Sequence, residues 1–193
     1  MAHVYEYDVF ISYHRDNDTV ARWVRNHFRK LLSDRLNDNM SEKVRVFTDD
    51  DVAIGGEWPA VLKDALLAAK VLVVVCSPQY FRNEWCLAEW ESMARREQQE
   101  SVGAHGLICP VIYSDSYSYP DWAKRRHMRD FSDWSEPSPH FQDSQDFLTF
   151  SREVRYLAEE LTPRILRAPR WQSGWPVVMP DPEPPPTFAK PRL

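Results

Sequence analysis

Trp85 and Glu89 are the residues whose types and spacing come nearest to chemistry. Four positions apart on a helix, they share one face, about 6 Å from one another. An indole plane beside an anion forms a receptor for a flat, cationic or ribosylated group. A carboxylate in the first turns is favoured by the helix dipole, which is expected to keep it ionised. The same spacing also suits a tryptophan packed in the core and a glutamate serving only the dipole, so both readings stand. Trp58 is a second aromatic candidate, because a large ring following the Gly55–Gly56 pair could stack on a planar ligand. Arg15, beside His14, could meet a phosphate or remain solvated. Asp49, Asp50 and Asp51 adjoin one another, but successive residues point in different directions and no calcium-loop spacing completes a cage. They read as a solvated acidic loop, and no metal site is expected. Cys76, Cys86 and Cys109 include no C-x-x-C pair and no histidine at ligand spacing, which predicts buried thiols in a reducing, cytoplasmic setting.

The elements that must position these residues follow from the hydrophobic pattern. Tyr7–Tyr13, Val44–Phe47, Val71–Cys76 and Leu107–Tyr113 read as strands, with a short edge strand over Asp130–Ser132. Val71–Cys76 is apolar on both faces and therefore central in a parallel sheet. Between the strands, Thr19–Leu36, Trp58–Ala69 and Glu84–Gln99 read as helices, and Phe147–Leu166 closes the fold with Val154, Leu157, Leu161 and Ile165 as its stripe. This alternation predicts a parallel α/β sheet with right-handed crossovers and helices on both faces. Function in such sheets gathers in loops at the carboxyl ends of strands. The places that matter are then Tyr13–Asp18, Thr48–Glu57, Ser77–Glu84 and Ser114–Trp122.

Length and composition bound the rest. The chain of 193 residues, 43% apolar and 27% charged, suits one globular domain. Its 24 basic and 29 acidic residues leave −5, which argues against general affinity for nucleic-acid phosphates. No apolar run is long enough to span a bilayer, and the N-terminus lacks the pattern of a signal peptide. Seven of the 15 prolines fall between Pro176 and Leu193. That composition predicts a folded unit over 5–172 and an extended linker or tail over 173–193, through which a sensor domain or partner could attach. The basic run Lys124–Arg129 lacks interleaved aromatics and reads as a solvated face.

Taken in order, Tyr7-Asp8-Val9-Phe10-Ile11-Ser12-Tyr13, the Asp-rich loop with Gly55-Gly56, the apolar strand ending Cys76-Ser77-Pro78, and Trp85-Cys86-x-x-Glu89 resemble the Toll/interleukin-1 receptor (TIR) domain. The resemblance covers residues 5–165 and is strongest over 7–92. The Trp-x-x-x-Glu pair makes it closer to the bacterial, NAD-consuming members than to animal receptor adaptors. The resemblance implies a flavodoxin-like three-layer sandwich, with a five-stranded parallel sheet in the order 2-1-3-4-5. It implies an NAD+ glycohydrolase or cyclase acting as an immune effector or signal producer, with Glu89 as the catalytic carboxylate and no cofactor beyond NAD+ as substrate. Trp85, Trp58, Ser12, Tyr13, His14 and Arg15 match substrate-contacting positions. Asp49, Asp50, Asp51, Gly55 and Gly56 match a flap loop, and self-assembly with other TIR domains would complete the site.

One carboxylate is chemically sufficient for such a reaction. Nicotinamide in NAD+ is already a cationic leaving group, and what remains is to stabilise an oxocarbenium-like ribosyl centre. Two rivals stand beside this reading. A TIR domain can be a signalling scaffold without chemistry. A phosphorylated receiver shares the sheet, but it needs acids after the first strand, an aspartate ending the central strand and a lysine after the next, whereas this chain has Tyr13-His14-Arg15, Cys76-Ser77 and Ser114-Asp115-Ser116.

Overall fold

The computed structural model describes residues 4–51, 58–100, 102 and 106–180, and of Trp58 only the backbone. Its centre is a five-stranded, all-parallel sheet in the order β2-β1-β3-β4-β5. The strands are β1 (Tyr7–Ser12), β2 (Val46–Phe47), β3 (Ala69–Cys76), β4 (Ile108–Ile112) and β5 (Arg129–Asp130). Helices α1 (Asp18–Trp23), α2 (Arg29–Asn39), α3 (Trp58–Leu67), α4 (Glu84–Gln99), α5 (Asp121–Lys124) and α6 (Gln145–Leu166) cover its two faces. The flavodoxin-like expectation is met. The sheet interior is built by β1 and β3, where Val9, Phe10, Ile11 and Val71 through Cys76 are wholly shielded from solvent. Burial on both faces is what a continuous β-branched run permits.

Chain direction decides where a ligand can enter. From β1 the chain crosses to β2 on one side, and from β2 it returns to β3 on the other. The order therefore reverses between β1 and β3, and the loops leaving their carboxyl ends diverge into a crevice.

The structure departs from the pattern-based expectations at several places. The first helical segment runs from Asp18 to Asn39, with a π-helical turn at Val24–Phe28 between α1 and α2. This turn lies beside Trp23, which stacks on Phe28 at 4.8 Å and donates its Nε1 proton to the Trp134 carbonyl at 2.7 Å. The edge strand occupies Arg129–Asp130 rather than Asp130–Ser132. Asp130 Oδ1 accepts the Ser132 amide at 2.9 Å and turns the chain into a 3-10 turn. All three cysteines are buried free thiols, as the spacing predicts.

The basic run is largely spent on internal structure. Arg126 pairs with Glu97, Arg129 with Glu153 and Glu160, and Lys124 donates to the Tyr117 carbonyl.

The described part of the expected linker, residues 173–180, lies against the domain. Trp175 is 4% exposed, and the guanidinium of Arg96 on α4 sits 4.0 Å from the centre of its ring. Arg96 has no solvent exposure, and it donates to the carbonyls of Ala69 and Leu66 at 2.8 and 3.0 Å. Burial lowers its pKa to about 10, so it remains charged at neutral pH. Beyond the ring, the Val178 amide donates to Ser92 Oγ at 2.7 Å, a second tie to α4. Proline composition argues for extended backbone, and extended backbone can still pack when an aromatic anchor has a cation to cover. Among the described residues, no helix is long and apolar enough to cross a membrane.

Candidate functional site

Asn83 begins the site by starting a helix. Its side chain accepts the Cys86 amide at 3.0 Å, capping α4 and fixing the direction in which the first two turns project. From those turns Trp85, Cys86 and Glu89 face a cleft of about 130 Å³. Tyr13, His14, Arg15 and Asp16 from the loop after β1 form the second wall, and Asp49 after β2 forms the third. The cleft therefore lies at the reversal point of the sheet. Its volume is below the roughly 300–1,000 Å³ of a complete small-molecule pocket.

Glu89 is 5% exposed, and its surroundings bear on its charge. Ser12 Oγ bonds to Glu89 Oε2, Ser12 Oγ lies 2.8 Å from the Tyr80 hydroxyl, and Tyr80 donates to the Cys86 carbonyl at 2.9 Å. These three contacts share two hydroxyl protons. With the carboxyl ionised, one contact has no proton between its oxygens. With the carboxyl protonated, the chain runs from carboxyl to Ser12, from Ser12 to Tyr80 and from Tyr80 to the carbonyl, with every contact made. Burial and the nearby charge of Asp49 both push the Glu89 pKa well above the usual carboxylate range, opposed by the bond from Ser12. Burial thus works against the helix dipole expected to keep Glu89 ionised, and shifts the group toward its acid form.

Asp49 also titrates high. Partial burial raises its pKa to about 6 against the pull of Arg15, with Asp50, Asp16 and Asp51 raising it further. Its neighbours in sequence behave differently. Arg25 grips Asp50 with two bonds of 2.9 and 3.1 Å, and Arg29 holds Asp51 at 2.7 Å while Asp51 accepts the Thr48 amide. Asp50 and Asp51 are therefore each tied to an arginine of the helical layer, and of the three only Asp49 lines the cleft.

The residues singled out by sequence fall into distinct places. Glu89, Trp85, Tyr13, His14 and Arg15 come together around one cleft. Ser12 is 1% exposed and is not among the cleft-lining residues; it holds Glu89 instead of presenting itself to a ligand. Gly55, Gly56 and the Trp58 side chain lie outside the described residues. One participant escaped the sequence reading, and another was named there only as one of three equivalent aspartates. Tyr80 had no visible partner, since Ser12 is 68 positions away. Asp49 was indistinguishable from the two aspartates beside it. Among the described residues, no cluster of His, Cys, Asp and Glu could hold a metal.

A parallel sheet in this order, with a carboxyl, an indole and an arginine at its reversal point, defines a flavodoxin-like α/β domain with a built cleft. The family model described as TIR domain matches residues 9–144, and the chain belongs to the TIR-domain family. It is similar to the disease resistance protein RPP2B of Arabidopsis thaliana, 32% identical over 113 residues, which cover 58% of this chain and 8% of that protein. It is also similar to the disease resistance-like protein CSA1 of the same plant, 27% identical over 86 residues, covering 44% of this chain and 7% of that protein. The chain thus spans less than a tenth of the length of these curated relatives. Among solved structures, the TIR domain of the Toll-related receptor TRR-2 from Hydra magnipapillata superposes with a TM-score of 0.46 at 22% identity, covering 77% of this chain and 98% of that one. The TIR domains of the activated Roq1 resistosome give 0.40 at 22% identity, covering 84% and 85%.

Proposed function

We propose that this TIR domain cleaves the nicotinamide–ribose bond of NAD+, releasing nicotinamide and either ADP-ribose or a cyclised isomer, as the NAD-consuming branch of the family does. The observation that carries this reading is the enclosure of the Glu89 carboxyl in one cleft with the Trp85 ring and Arg15. Trp85 provides an aromatic wall for the pyridinium, and Arg15 a counter-charge for the diphosphate. A Glu89 pKa raised by burial is consistent with this role. A pyridinium entering the cleft favours the carboxylate form, so substrate binding itself charges the group. The carboxylate then opposes the positive charge that moves onto the ribose as the C1′–N bond breaks, in a site where displaced water strengthens the attraction. Nicotinamide leaves with the bond's electron pair and needs no acid.

The small cleft also supports a role for assembly. A further wall, from a neighbouring copy, would enclose the rest of the dinucleotide. Activity is then low in dilute solution and rises when the protein is concentrated on a surface, through raised effective concentration. Etheno-NAD fluorescence, followed with dilute and bead-captured protein, tests this directly. Bead-dependent turnover supports the proposal, and a flat signal in both forms leaves a non-catalytic signalling module.

The pH dependence follows from the two raised carboxyls. The ionised form is the active one, so turnover is lost as pH falls through the folded-state titration. Asp49 titrates near about 6 and Glu89 is displaced in the same direction. The acid limb of kcat/KM is expected near or above pH 6, where unperturbed carboxylates would place it near about 4. A limb near 4 would contradict the burial argument.

A further inference from the structure

We propose that Asp49 is a second catalytic residue of this site, the general base that takes the proton from the oxygen nucleophile attacking the ribosyl carbon. The inference rests on the NAD+-cleaving reading above and adds a residue and a step to it.

Three observations single out Asp49. It lines the same cleft as Glu89 while belonging to a different strand end, so the two carboxyls approach one bound group from separate walls. Among the described residues, no hydrogen bond or ion pair engages its carboxylate, whereas Asp50 and Asp51 are each held by an arginine. The two carboxyls interact, since the charge of Asp49 is the largest neighbouring influence holding Glu89 in its acid form. The charged groups acting on Asp49 are Arg15 and Asp16 from the loop after β1 and Asp50 and Asp51 from its own turn, and Asp49 in turn acts on Glu89 of α4. Its pKa of about 6 suits a base working near neutrality, because it is mostly ionised there yet still accepts a proton.

The chemistry divides the two acids by role. As the C1′–N bond breaks, its electron pair stays on nicotinamide, and Glu89 faces the positive sugar. Water then forms the C1′–O bond and must lose one proton, which passes to the Asp49 carboxylate. A hydroxyl acceptor on the same molecule would lose its proton in the same way. A ring nitrogen has none to lose. Asp49 therefore matters for oxygen acceptors and not for nitrogen acceptors.

That asymmetry supplies the test. Bead-assembled wild type and Asp49→Asn are incubated with NAD+ in water, with NAD+ plus 3-acetylpyridine, and with NAD+ plus azide, and the products are separated by chromatography. In Asp49→Asn, hydrolysis is expected to fall about 100-fold, the low end for loss of a general base. Pyridine exchange is expected to stay within about threefold of wild type, and azide to restore nicotinamide release as the ribosyl azide forms. A parallel loss of hydrolysis and exchange, or a loss of neither, would overturn the assignment. So would a hydrolysis-selective loss in His14→Gln with Asp49→Asn unaffected, which would pass the role to the histidine. If assembled wild type releases no nicotinamide in any arm, the NAD+-cleaving reading itself fails, and this inference fails with it.

Discussion

Glu89→Gln is expected to lower NAD+ cleavage by about 10³-fold while raising the thermal stability of the domain at neutral pH. On the proposed reading the first effect is the loss of the carboxylate that faces the ribosyl cation, and removal of a preorganised electrostatic partner costs on this scale. The second follows from the titration of the buried acid. Its pKa is raised in the folded state, so folding favours the protonated form, and stability is fully present below the ordinary carboxylate pKa and lost as pH rises through the folded value. Glutamine keeps the shape, keeps an oxygen to accept the Ser12 hydroxyl, and carries no charge to desolvate. A variant that is dead but at least as stable as wild type would separate catalysis from folding. Calorimetry and product chromatography on one preparation read both. Retained turnover removes Glu89 from the chemistry, and a fall in Tm at pH 7 contradicts a carboxyl raised by burial.

Trp175→Ala is expected to cost about 3 kcal/mol and to lower Tm by about 10 °C. The indole covers a guanidinium that has no solvent exposure and whose partners among the described residues are two carbonyls rather than a carboxylate. Deleting the ring opens a cavity and uncovers the buried charge at once. Because Arg96 lies on α4, two turns beyond Glu89, a loosened helix would also misplace the Glu89 carboxyl. Trp175→Phe restores a ring face and should recover most of the loss. An unchanged Tm in the alanine variant would mean that residues 173–180 contribute nothing to the fold.

Much of this architecture was legible in the residues. The all-apolar run Val71–Cys76 could only be an interior strand, and the alternation around it fixed a parallel sheet whose switch point had to hold the cleft. Trp85 and Glu89 were legible together because helical spacing is short-range. What stayed hidden depends on residues distant in sequence. Ser12 and Tyr80 meet only because β1 and the turn before α4 share one end of the sheet. Arg96 and Trp175 meet only because the chain doubles back past the last helix. The push of burial against the dipole at Glu89 stayed hidden for the same reason, since the dipole is a local property and burial is not. Asp49, Asp50 and Asp51 were equivalent as letters and became distinct once two arginines of the first helical segment had claimed the latter two.

The central claim is that a carboxyl buried beside an indole at the sheet's switch point breaks a glycosidic bond. Its most direct test is chromatography of NAD+ incubated with wild-type protein at bead-bound density. The account predicts one nicotinamide released for each NAD+ consumed, with matching ADP-ribose or a cyclised isomer. NAD+ recovered intact at every protein density would contradict it.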